Sequence, residues 1–159
     1  MKYRLLTIML LSISLSTFAQ IEREESAKYF DSKHNLYNGK YEEFYNNGNT
    51  KREMFLKNGE QDSTTLLYFD NGKINEIRSY KNGLMHGKWE TYNSKGQKLA
   101  EAWYASDKKD GIWRIWDENG ILRCEMNYSK GYRTGNWILY NEKGELLSQK
   151  QYSSKDTIP

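Results

Sequence analysis

Gly87-Lys88-Trp89-Glu90-Thr91-Tyr92-Asn93-Ser94-Lys95-Gly96 reads as half of a hairpin: a short aromatic segment runs into a polar turn closed by glycine. Twenty-four residues on, Gly111-Ile112-Trp113-Arg114-Ile115-Trp116-Asp117-Glu118-Asn119-Gly120 repeats it, and Gly135, Trp137, Tyr140 and Gly144 repeat it again. Working outward, one 24-residue unit is written five times between Gly39 and Tyr152. One aromatic column holds Phe44, Tyr68, Tyr92, Trp116 and Tyr140. A second holds Tyr41, Thr65, Trp89, Trp113 and Trp137. A third holds Leu56, Tyr80, Tyr104, Tyr128 and Tyr152, and a largely acidic column holds Glu53, Ile77, Glu101, Glu125 and Gln149.

The chain has 12 glycines, and three columns absorb them all. Gly48, Gly72, Gly96, Gly120 and Gly144 close the turn inside each repeat. Gly39, Gly87, Gly111 and Gly135 open the repeats, and Gly59, Gly83 and Gly131 join them. A polar residue followed by glycine supplies the left-handed backbone of a tight hairpin. Turns this frequent leave no room for three helical turns. The expectation is therefore all-β: a single elongated, twisted antiparallel sheet of consecutive hairpins, about ten strands and about 45 Å across. A type I turn closed by a glycine bulge predicts the register by counting outward. Phe69 faces Lys73, Tyr68 faces Ile74, Trp116 faces Leu122 and Tyr140 faces Leu146. Further out, Trp89 faces Glu101, Trp113 faces Glu125 and Trp137 faces Gln149, which puts the tryptophans beside carboxylates and the Tyr104 column on the other face.

Residues 1–19 read as a signal peptide, with Lys2 and Arg4 before an apolar run from Leu5 to Leu15 and small residues at Thr17 and Ala19. The run is short for a membrane span. Cleavage before Gln20 implies export to the periplasm or outside the cell, with no membrane span left in the mature chain. Residues 20–27 read as a linker, 28–152 as the repeat domain opened by a capping strand over 28–38, and 153–159 as a disordered tail. Without Lys2 and Arg4, 22 basic residues face 21 acidic ones, both signs interspersed, so no nucleic-acid stripe is present. From Gln20 onward aromatic residues outnumber branched aliphatic ones and valine is absent, which suits a single-layer sheet whose rings cover one another from strand to strand.

The string Gly-x-Trp-x-x-Tyr-x-x-x-Gly, as in Gly87, Trp89, Tyr92 and Gly96, resembles the variant MORN repeats of bacterial proteins and is similar to the group labelled YwqK-type antitoxins. The resemblance spans 39–152. The second repeat departs most, with Ser63 for the leading glycine and Thr65 for tryptophan. The family implies an elongated hairpin sheet that serves as a protein- or membrane-contacting scaffold, and the label implies an antitoxin or immunity role.

Catalysis finds little in the residues. His34 and His86 occupy unrelated repeat positions, with no metal-ligand spacing and no cofactor motif. Cys124 has no histidine near it in sequence and reads as a small apolar residue. Glu101 and Glu125, about 9–10 Å apart on equivalent strands, have the separation of an inverting glycosidase pair. A column that repeats with the fold is nevertheless needed by the fold. The reading is a non-catalytic scaffold for a protein partner, or alternatively a module that binds wall polysaccharide or another glycan through its tryptophans. Its candidate binding face is Trp89, Trp113, Trp137, Tyr41, Glu53, Glu101 and Glu125.

Overall fold

The computed structural model describes residues 28–153. The signal peptide expected at 1–19, the linker at 20–27 and the tail beyond Ser153 lie outside the described residues. The strands are β1 (Gly39–Phe44), β2 (Thr50–Lys57), β3 (Glu60–Tyr68), β4 (Ile74–Lys81), β5 (Leu84–Met85), β6 (Gly87–Tyr92), β7 (Lys98–Ala105), β8 (Lys108–Lys109), β9 (Gly111–Trp116), β10 (Leu122–Ser129), β11 (Tyr132–Tyr140) and β12 (Leu146–Tyr152). They form one antiparallel sheet in the order β1-β2-β3-β4-β6-β7-β9-β10-β11-β12. The two-residue strands β5 and β8 pair beside it with β4 and β7. Apart from the short β5 and β8, each neighbour in the sheet is also a neighbour in sequence, as a chain of hairpins requires.

The turns inside the repeats follow the expected geometry. Gly72 N–H donates to the Phe69 carbonyl at 3.0 Å, and Phe69 N–H donates to Lys73 at 2.8 Å. The same pair of bonds recurs at Tyr45, Asn93, Asp117 and Asn141. The five turn glycines have φ between 78° and 89°, a region that L side chains avoid. Tyr68 faces Ile74, Trp116 faces Leu122 and Tyr140 faces Leu146, as expected.

One residue further out the expected register fails. Tyr92 faces Lys98, but Thr91 faces Ala100, so Leu99 is extra. Lys51, Asn75, Arg123 and Leu147 are extra in the other repeats. This second bulge shifts all that follows by one position and so exchanges faces. Trp89 faces Ala102, and Glu101 faces Glu90. Trp113 faces Met126, and Glu125 faces Arg114. Trp137 faces Lys150, and Gln149 faces Ile138.

A wider irregularity marks the junction between repeats. Ile77 pairs with Glu90 and Tyr80 with Met85, so two residues of β4 stand against four running from β5 into β6. Gly87, at φ 99°, lies in this widening, and Gly111 takes the same place in the next repeat at φ 85°. A Cβ on Gly111 would come 3.2 Å from Cβ of Trp103. In the second repeat Ser63 is forced to the same left-handed backbone, at φ 92°.

Residues 28–38 do not add the expected capping strand. Phe30 and Leu36 make a single bridge, and Asp31 Oδ1 accepts the N–H groups of Lys33 and Asn35, which curls the chain into a tight loop. The loop still docks on the first junction: Tyr29 N–H donates to Gly59, and Gly59 N–H donates to Tyr37, both at 2.9 Å. Among the described residues only Met54 and Leu56, with Thr65, are buried as side chains, and they lie where the tryptophan and tyrosine columns are interrupted. The rest of the sheet is a single layer whose two faces both meet solvent.

Candidate functional site

The second bulge and the junction together decide which side chains meet. Tyr104 stands opposite Gly87, Tyr128 opposite Gly111 and Tyr152 opposite Gly135. Each phenol therefore lies over the strand position that has no side chain of its own, next to a tryptophan two residues along. The two columns merge into one row. Tyr80, Trp89, Tyr104, Trp113, Tyr128, Trp137 and Tyr152 follow one another with centroids 5.0 to 5.5 Å apart. Their planes are inclined by 51° to 61°, the tilted arrangement that aromatic quadrupoles favour. Tyr41 continues the theme in the first repeat, 5.4 Å from Tyr29 and 6.2 Å from Tyr37.

Each tryptophan is also tied to the backbone. Trp89 Nε1 donates to Ser79 O, Trp113 Nε1 to Trp103 O and Trp137 Nε1 to Asn127 O, at 3.0 to 3.1 Å. These carbonyls belong to the widened junctions, so the indole is a hydrogen-bonding part of the bulge. Where Thr65 replaces tryptophan, its hydroxyl donates instead to Gln61 Oε1 at 2.9 Å.

Cations overlie this row. Arg78 lies 5.0 Å from the Trp89 ring, and Lys109 Nζ lies 4.4 Å from Trp113 and 4.9 Å from Tyr128. Arg133 lies 4.6 Å from Trp137, and Lys150 Nζ lies 4.7 Å from Tyr152. Such contacts are favourable through the negative ring face. Beside the row, on the same face, Ile115 and Leu139 flank Cys124 and are each 44% exposed. Burial pushes the Cys124 thiol above its ordinary range, which favours its protonated form.

Of the expected binding face, Trp89, Trp113, Trp137 and Tyr41 do share one side. Glu53, Glu101 and Glu125 point to the opposite one, because the extra residue past each turn reverses the alternation. There they join an ion-pair ladder with Lys40, Lys88, Lys98 and Arg114. Lys88 bridges Glu90 and Glu101 at 2.8 and 3.1 Å, and Lys98 contacts the same two carboxylates. Arg114 joins Glu101 to Glu125 at 3.5 and 2.7 Å. Burial raises the carboxyls of Glu90 and Glu101, but the donors from Lys88 and Lys98 outweigh it and hold both below the ordinary range. A carboxyl held ionised in this way is a poor general acid. The Tyr68, Tyr92, Trp116 and Tyr140 column lies on this charged face, not with Tyr104 and Tyr128 as expected.

The sequence reading missed the cations over the rings, the Ile115–Leu139 stripe and the sharing of one face by tryptophans and tyrosines. The signal available for the last was the tyrosine seventeen residues after Gly87, Gly111 and Gly135, since an aromatic ring opposite a strand glycine is a recurring compensation.

The family model described as the MORN repeat variant matches residues 37–58, 61–82 and 109–130. These matches are spaced by one and two periods and cover the hairpins β1–β2 and β3–β4 and the segment β8–β10. The intervening β5–β7 segment repeats the same turns and bulges. Repeats of this kind generally serve in protein or membrane binding. No curated protein matches the chain.

Proposed function

We propose that this chain is a non-catalytic, exported repeat scaffold that binds a protein partner across the aromatic face of its last two repeats, and that the partner presents an acidic segment with apolar side chains. One observation carries the reading. Ile115 and Leu139 stand half exposed beside Trp113, Tyr128 and Trp137, while Lys109, Arg133 and Lys150 sit among the rings. Aromatic side chains with an apolar stripe suit the dry centre of an interface, and the positive charges that lie over the rings favour an acidic partner. The match to repeats that generally serve in protein or membrane binding supports the same reading. A glycan laid along the tryptophan row is less well served. The indole N–H groups are committed to backbone carbonyls, the rings are tilted rather than coplanar, and cations already overlie several of them.

Affinity capture with the exported protein tests this. Ile115→Glu and Leu139→Glu place acids where the partner's own acids would approach, and both side chains are exposed enough for folding to survive. A protein captured by wild type and by Phe55→Glu on the other face, but lost from both aromatic-face variants, is the expected result. Capture insensitive to Ile115→Glu and Leu139→Glu would refute the reading.

A further inference from the structure

The repeat columns expose one local departure that the scaffold does not require. Trp103 occupies a column otherwise filled by Phe55, Ser79, Asn127 and Gln151. Ile112, on the next strand of the sheet, occupies a column otherwise filled by Lys40, Thr64, Lys88 and Asn136. Both lie on the charged face, opposite the aromatic row. Trp103 is 41% exposed. Its indole makes no hydrogen bond among the described residues, unlike those of Trp89, Trp113 and Trp137. Together with Glu101, Tyr104, Asp110, Gly111 and Arg114 these two residues line an open hollow of about 560 Å³. The missing side chain at Gly111 lets the Trp103 stem lie against the backbone.

We propose that this hollow is a binding site for a neutral pyranose unit of a glycan, stacked on Trp103. The chemistry of the rim selects the ligand. Glu101 and Asp110 supply acceptors, and Asp110 has no ion pair among the described residues. Arg114 and the free indole N–H supply donors. A cation would meet Arg114, and an anion would meet two carboxylates. A polyhydroxylated ring uses donors and acceptors together and lays its C–H face on the indole. Pockets for small ligands run to about 300–1,000 Å³, so the hollow admits one or two sugar rings. Its openness to solvent suits a chain that continues past the protein in both directions. The site is on the face opposite the proposed protein interface, so the two can be occupied together.

The test is a titration of the full exported chain, with isotope-labelled tryptophan, against cellopentaose, chitopentaose, maltopentaose and mannopentaose. N-acetylarginine amide and glucuronate serve as charged probes. At least one neutral oligosaccharide is expected to move the Trp103 indole resonance while leaving those of Trp113 and Trp137 in place. Trp103→Asn and Ile112→Lys install residue types that the fold already carries at Asn127, Lys40 and Lys88, so both variants retain the sheet. Each is expected to weaken binding about tenfold or more, the scale of losing one good stacking or packing contact. The proposal is overturned if no neutral sugar shifts Trp103, if only a charged probe does, or if affinity is unchanged in both folded variants.

Discussion

Ser63→Gly is expected to stabilise the protein, which is unusual for a glycine placed inside a strand. Ser63 has φ 92°, and its counterparts in the other repeats are Gly39 at 123°, Gly87 at 99°, Gly111 at 85° and Gly135 at 58°. An L residue held at positive φ costs about 1–3 kcal/mol, because its Cβ crowds the flanking carbonyl. The Ser63 side chain is exposed and makes no hydrogen bond among the described residues, so removing it forfeits no contact. Against this, glycine gains freedom in the unfolded chain worth about 0.5–1 kcal/mol. The balance is a gain of about 1 kcal/mol, or about 3–5 °C in melting temperature for a domain of this size. The reverse change, Gly111→Ser, meets the same strain and also brings Cβ to 3.2 Å from Cβ of Trp103, so a loss of about 2 kcal/mol is expected. Thermal and urea melts of residues 20–159 measure both. A neutral or destabilising Ser63→Gly would show that the junction imposes no left-handed backbone in the second repeat.

Gly72→Ala and Gly120→Ala should each cost about 1 kcal/mol from backbone strain alone, since nothing lies within 4 Å of the added Cβ. Melts showing no loss at both positions would refute the turn geometry. Trp113→Ala and Tyr128→Ala should both lower stability, by about 2–4 kcal/mol, because each ring contacts two neighbours in the row. Tryptophan should cost more, since its bond to Trp103 O is lost as well. Equal loss in the double variant and in either single one would mark the two as a coupled pair. The carboxyls of Glu90 and Glu101 are held below their ordinary range in the folded state. Their contribution to stability is therefore complete above the unfolded carboxylate pKa of about 4.3 and is lost as pH falls through the lower folded values. Stability against pH should bend downward below about pH 4, and Lys98→Met should flatten the bend. An unchanged profile in Lys98→Met would remove Lys98 from the ladder.

The period, the turns and the glycines were legible because each has a residue that only one backbone conformation accommodates well. Asn71-Gly72 announces a turn, and five such signals at one spacing leave a single architecture. The second bulge had no such signal. Leu99, Arg123 and Leu147 sit in it with ordinary side chains, so counting outward from the turn leaves the register one residue short. That single step moved Glu101 from beside Trp89 to the opposite face and broke the expected Trp–carboxylate surface. The cap over 28–38 departs from its expected strand for a similar reason. Its position in the repeat suggested a strand, but Asp31 captures two nearby N–H groups and folds the segment back on itself. Trp103 and Ile112 were not among the residues singled out from the sequence, and it is the structure that brings them to the same hollow.

The most direct test of the functional account is site-specific photo-crosslinking in the organism. Benzoylphenylalanine replaces Ile115 or Leu139 on the aromatic face, or Phe55 on the charged face, all exposed positions. The account predicts that one protein crosslinks from Ile115 and from Leu139, that it does not crosslink from Phe55, and that the adducts vanish when Lys109 and Arg133 are changed to glutamate. Adducts from Phe55 alone, or adducts from Ile115 and Leu139 that persist in Lys109→Glu with Arg133→Glu, would contradict it.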